Sequence, residues 1–167
     1  IPVEVDVGEV NGRYFIWMLG VGIEAKIANE VNPQIKQYFG VLAYVFAALQ
    51  QATSIGFQVM KVIMDDKQMT FRTFNTVIGN ATSFEGFFGI KSKFSIKDGF
   101  LDVCVLQNWT ITGIIQLIKN FIRGRRDYYR FTERFSAAHC RVKHIRVETV
   151  PNAWYHVDGE VMGQTPI

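Results

Sequence analysis

Three doublets of Asn or Asp followed by glycine punctuate this chain: Asn11-Gly12, Asp98-Gly99 and Asp158-Gly159. Both residues of such a doublet tolerate the positive φ that tight antiparallel turns demand. Each doublet sits beside short runs of strand-like composition. Val3 to Val7 alternates with Glu4 and Asp6, which suits a half-buried strand. Asn11-Gly12 then turns the chain into a return strand over Arg13 to Leu19. Gly56 to Met64 and Met69 to Thr76 flank a turn at Asp65-Asp66-Lys67, and Val77 to Asn80 extends the second run. Leu101 to Leu106 reads as a buried strand after the Asp98-Gly99 turn. Arg141 to Val150 alternates as a single strand, and Trp154 to Val157 with Val161-Met162 closes a hairpin around Asp158-Gly159.

Helices are fewer. Glu24 to Val31 follows the break at Gly20-Val21-Gly22, and Pro33 suits the first turn of a second helix reaching about Gln51. Thr110 to Arg123 presents Ile111, Ile114, Ile115, Ile118 and Ile122 on one face, with Thr110 as cap and Gly124 as stop. The loop Ala81 to Ser92 is rich in Phe and Gly. This inventory predicts an α+β fold: one mainly antiparallel, β-sandwich-like domain over residues 1–167, with inserted helices.

Apolar residues make up 49% of the chain, enough for a real core. The net charge of +3 and the lack of any nucleic-acid motif argue against a nucleic-acid partner. Cys104 and Cys140 lie in apolar runs without metal-ligand spacing, which predicts buried free thiols in a reducing cytoplasm. The N-terminal residues do not resemble a signal peptide. The longest apolar stretch, Tyr38 to Leu49, is too short to span a bilayer. The chain opens within a strand pattern and stops at Thr165-Pro166-Ile167, so it is expected to be a fragment of a longer protein.

The chemistry-bearing residues are acidic ones at turns. Glu160 follows Asp158-Gly159, and Asp98 and Asp102 bracket Gly99-Phe100-Leu101. Spacing alone leaves two readings open for each: plain turn residues, or carboxylates presented at a rim to take a proton or hold a cation. His139, His144 and His156 share no ligand spacing. Arg123-Gly124-Arg125-Arg126 with Tyr128, Tyr129 and Arg130 reads either as a solvated helix end or as a membrane-surface patch.

Six segments occur in a characteristic order: Asp6-Val7-Gly8 with Val10 to Phe15, Gly20 to Ala25, Gly40 to Tyr44, Val77 to Asn80, Lys97 to Val103, and Val157 to Glu160. The ordered set resembles the C-terminal domain of the diacylglycerol kinase-like lipid kinases, across essentially the whole chain. The resemblance implies the lipid-binding half of a two-domain enzyme that uses ATP to phosphorylate a lipid hydroxyl. A separate N-terminal domain would carry the nucleotide loop, so this fragment alone is expected to be inactive. It further implies Glu160 as catalytic base with Asp102 in support. A Mg²⁺ site would use the Asp98 carboxylate and the carbonyls of Ser95 and Phe100. Phe84, Phe87 and Phe88 would line an acyl path.

The partners so implied are a lipid substrate, the N-terminal kinase domain of the same protein and the inner face of a membrane, held peripherally; a homodimer is compatible. Three departures from the family pattern stand out: Ala81 to Phe88 where glycines are usual, Trp17 where Asn is common, and Lys97 where a first Asp is common. Two alternatives stay open, a non-enzymatic lipid-binding module and an NAD-kinase-like phosphotransferase.

Overall fold

The computed structural model describes residues 2–30, 56, 58–64, 67–80, 95–107 and 137–167. These residues form eleven strands and one helix: β1 (Gly8–Val10), β2 (Arg13–Phe15), β3 (Met18–Gly22), α1 (Ile23–Glu30), β4 (Gln58–Met64), β5 (Lys67–Thr73), β6 (Asn75–Gly79), β7 (Leu101–Leu106), β8 (Ala137–Val142), β9 (Ile145–Val150), β10 (Trp154–Val157) and β11 (Glu160–Gln164). A six-stranded sheet runs β11-β10-β3-β6-β7-β8, a three-stranded sheet runs β5-β4-β9, and β1 pairs with β2. Every strand pair is antiparallel. The expected β-sandwich-like class is the observed one.

Alternation along the strands builds the core. Met60, Val62 and Met64 of β4 and Val147 of β9 face inward from the small sheet. Leu19, Val21, Ile78, Val103, Val105 and Val157 meet them from the large one. At about 25 cal/mol per Å² of apolar surface, this burial is the main force holding the sheets together. The central strands β3 and β6 are buried on both faces, β3 as a continuous apolar run and β6 with the polar Asn75 and Thr76 at its start. Helix α1 covers part of the second face, over β3, β10 and β11.

Several predicted boundaries shift. Residues 2–7 form no strand despite their alternation, and the first strand is Gly8–Val10. Val3, Val5 and Val7 stay exposed, so alternation there has no core to face. The return strand breaks at Ile16-Trp17, where the chain leaves one sheet for another. Arg141 to Val150 is two strands, because β8 ends at Val142 in the large sheet and β9 begins at Ile145 in the small one. Leu101–Leu106 and the final hairpin lie where the sequence places them. The helices expected over Pro33 to Gln51 and Thr110 to Arg123, and the Arg123 to Arg130 cluster, lie outside the described residues. No described helix is long and apolar enough to cross a membrane.

Cys104 is buried on β7, and burial, then the neighbouring Cys140, pushes its thiol up to about 12. The thiolate is the reactive form. Cys104 is therefore expected to resist a thiol reagent in the native protein at mildly alkaline pH and to react fully once unfolded. Fast native labelling would contradict this burial. The sign of the linkage follows: the folded thiol holds its proton more tightly than the unfolded one. Its stabilising contribution is complete below about 9 and is lost as pH rises towards about 12.

Candidate functional site

The C-terminal hairpin turns at Asp158 and Gly159, whose φ values of 48° and 91° are both left-handed. Two such central residues define the hairpin turn whose twist matches that of its strands. Val157 pairs with Glu160 across it. Glu160 is exposed at the first position of β11.

Asp158 does more than turn the chain. Its Oδ1 accepts hydrogen bonds from the main-chain N–H groups of Trp17 at 3.1 Å and Met18 at 2.8 Å, and its Oδ2 from Ile16 at 3.0 Å. Its own N–H donates to the Met18 carbonyl at 2.8 Å. Bonds from N–H groups to a charged carboxylate are roughly twice as strong as neutral ones. On the opposite side of the same corner stands Asn80, buried at the end of β6. Its main-chain N–H donates to the Trp17 carbonyl at 3.0 Å, and its Nδ2 donates to the carbonyls of Ile16 at 3.1 Å and Asp6 at 2.7 Å.

Asp6 continues the connection. Its Oδ2 accepts from Gly99 N–H at 2.8 Å, and its N–H donates to the Ile96 carbonyl at 2.7 Å. The 95–102 turn gathers Ser95, Asp98, Phe100 and Asp102. Asp98 Oδ1 accepts from Phe100 N–H at 3.1 Å, an Asx-turn. Asp98 Oδ2 is paired with the Arg141 guanidinium, which also lies 3.5 Å from the buried Asp102 carboxylate and rests over the Phe100 ring. Register explains the arrangement, since Asp102 and Arg141 are direct partners across β7 and β8.

Asp102 and Glu160 lie near the same end of the large sheet. Asp102 pairs with Gly79, Gly79 with Met18, and the adjacent Leu19 with Val157. Four strand spacings separate β7 from β11, about 19 Å along the sheet. The two carboxylates are therefore joined through intervening groups and not by contact. Phe84, Phe87 and Phe88 lie outside the described residues.

A second polar cluster packs behind the hairpin. His156 is buried, and its Nδ1 accepts from Gly159 N–H at 3.2 Å. Its Nε2 lies 3.4 Å from Glu24 Oε1, close enough for an ion pair but outside hydrogen-bond geometry. Asn75 fixes Glu24, donating from Nδ2 to Oε2 and accepting the Glu24 N–H on Oδ1, both at 3.2 Å. The glycines of β3 make this possible. A Cβ at Gly20 would come within 2.2 Å of His156 Nε2, and one at Gly22 within 2.5 Å of the Phe74 carbonyl oxygen.

The chain as a whole has known relatives. The model of the YegS C-terminal NAD kinase beta sandwich-like domain matches residues 18–167. The chain belongs to that family. A diacylglycerol kinase of Bacillus subtilis is 23% identical over 165 residues, 97% of this chain and 52% of its own length. An uncharacterized protein of Synechocystis is 27% identical over 164 residues, 98% of this chain and 38% of its own. The crystal structure of a candidate diacylglycerol kinase from Bacillus anthracis aligns with a TM-score of 0.64 and 26% identity, covering 97% of this chain and 51% of that one. The chain thus spans about half the length of these two kinases. Within this YegS-type domain, Arg141 belongs to no motif that sequence reading isolates, and Asp6 and Asn80 stand in motif segments that do not reveal their partners. Their roles appear only when residues distant in the chain are brought into register.

Proposed function

We propose that this domain is the C-terminal, lipid-binding half of a two-domain kinase that transfers the γ-phosphoryl group of ATP to a lipid hydroxyl. The observation that carries the reading is the exposed Glu160, presented by a hairpin whose turn carboxylate is anchored by three N–H groups. Glu160 takes the proton as the substrate O–H bond breaks. The freed oxygen attacks the γ-phosphorus, and the bond to the bridging oxygen breaks to release ADP. Phosphoryl transfer depends chiefly on positioning and charge stabilisation, so an exposed carboxylate carried on an anchored turn suits it. ATP is held mainly by the N-terminal domain, and Phe84, Phe87 and Phe88 receive the acyl chains. The enzyme works on the cytoplasmic membrane face as a peripheral protein.

The donor set at the 95–102 turn fits Mg²⁺. The Asp98 carboxylate and the carbonyls of Ser95 and Phe100 are hard oxygen ligands, and Mg²⁺ takes few carboxylates and keeps several waters. Each Asp98 oxygen accepts one hydrogen bond among the described residues, which leaves lone pairs for a cation. Asp6, Asp98 and Asp102 gather at this turn, with Arg141 and Lys143 over the Phe100 ring as the facing cations. When bound there, Mg²⁺ supplies the positive charge that holds the acidic turn in shape. Asp98→Asn is expected to raise the Mg²⁺ concentration for half-maximal activity on the order of tenfold. An unchanged requirement would remove Asp98 from the cation site.

The experiment is transfer of labelled phosphate from ATP by the intact parent protein. Its panel holds diacylglycerol, sphingosine and phosphatidylglycerol in vesicles, with NAD alongside. A labelled lipid is expected. Label on NAD alone would favour the NAD-kinase-like reading. Vesicle binding with no transfer at all would leave a lipid-binding module.

A further inference from the structure

We infer that Asp158 and Asn80 are positioning residues for Glu160, gripping the Ile16–Met18 corner from its two sides. This rests on the proposed kinase reading and adds two residues to its machinery. The Ile16–Met18 corner joins the small β1-β2 hairpin to the large sheet. Neither strand pairing covers Ile16 or Trp17. Their main-chain groups are satisfied instead by two residues from far along the chain, through both Asp158 carboxylate oxygens and through the side-chain and main-chain N–H groups of Asn80. Asp158 takes the three N–H groups of residues 16, 17 and 18, and Asn80 takes the carbonyls of residues 16 and 17.

The corner in turn fixes the hairpin. Asp158 sits in a left-handed conformation, which aspartate tolerates in hairpin turns but which still needs a constraint to select it. The three bonds to its carboxylate and the one from its N–H supply that constraint. Glu160 lies two residues on, exposed and paired with Val157, so the grip on Asp158 and the β10-β11 ladder together locate its backbone. Both Asp158 oxygens face main-chain N–H groups of the corner, so its part is geometric.

The chemistry of the pair is specific. A carboxylate only accepts, and it faces three donors. An asparagine in its place presents an NH₂ group, which cannot accept, at one of them. Asn80 both accepts no charge and donates through Nδ2 to two carbonyls. An aspartate in its place turns that donor into a negative acceptor facing them.

The test compares the intact parent with Asp158→Asn, Asn80→Asp and Val62→Ala. Val62 is a core residue of the other sheet and serves as a control for lost stability alone. Two readouts are taken. Amide hydrogen exchange at residues 16–18 reads the grip without any activity. Transfer kinetics, corrected for the folded fraction, read its consequence. The expected result is faster exchange at these amides in both corner variants. With it, kcat falls on the order of tenfold to a hundredfold, as small misplacements of a reacting group do, while KM for ATP stays near its original value. Val62→Ala should lower the melting temperature and leave both readouts in place. Unchanged exchange would overturn the grip. Faster exchange with unchanged kcat would overturn the positioning role while leaving the kinase reading intact. An unmutated parent without transfer to any substrate would overturn the kinase reading and the positioning role with it, whatever the exchange shows.

Discussion

Replacing Glu160 by glutamine in the intact protein is expected to lower kcat by about a hundredfold to ten-thousandfold, the usual contribution of a general base. That corresponds to about 3 to 5 kcal/mol at the transition state. The amide keeps the shape of the side chain and cannot take the proton. Glu160 is exposed, and among the described residues no hydrogen bond holds its side chain. Its loss therefore leaves the turn, the Asp158 bonds and the core untouched. Melting temperature and vesicle binding should match the unmutated protein, so the loss can be assigned to chemistry. Equal activity in the two proteins would remove Glu160 from the mechanism.

Gly22→Ala is expected to be the most damaging small substitution in the domain, costing about 3 kcal/mol or more. Two independent reasons converge on this residue. Its φ of +120° lies in a region that L side chains rarely enter. Its Cβ would also lie 2.5 Å from the Phe74 carbonyl oxygen and 3.0 Å from the Asn75 Cα, so backbone would have to move. Gly22 pairs with Asn75, which holds Glu24 at the start of α1. Strain there would loosen β3 against β6 and the helix together. Chemical denaturation of the two proteins measures the difference. A loss below about 1 kcal/mol, the ordinary scale of a point substitution, would show that the chain relaxes around the new methyl group.

Much of this fold was legible because its signals are local. Asp158-Gly159 and Asn11-Gly12 announce their own turns, and the run Leu101 to Leu106 announces a buried strand. The order of motifs indicated the family before any geometry was known. What escaped the sequence was pairing at long range. Arg141 to Val150 reads as one alternating strand, yet it serves two sheets, because alternation says nothing about which neighbour a strand selects. Val3 to Val7 alternates just as well and joins no sheet among the described residues. Asp158 looked like a turn residue, and it is one. Its second task depends on amides near the opposite end of the chain, which no local pattern encodes. The acidic turn at Asp98 was visible, but Arg141 beside it was not, since only the β7-β8 register brings the two together.

The strand order also dictates when this domain can acquire its shape. β3 is flanked in the large sheet by β6 and β10, so one of its edges stays open until nearly the last strands have been made. The Ile167 main chain then closes on Val147 from both sides. Contacts between residues far apart in a chain bear a larger loop-closure entropy and slow the search for the native state. On a ribosome, the glycine-rich β3 strand must wait with an unpaired edge while the intervening residues emerge. An unpaired edge of this kind is a template for association with other chains. The sequence that completes the hairpin of Glu160 is thus also the one that ends the period of greatest vulnerability to aggregation.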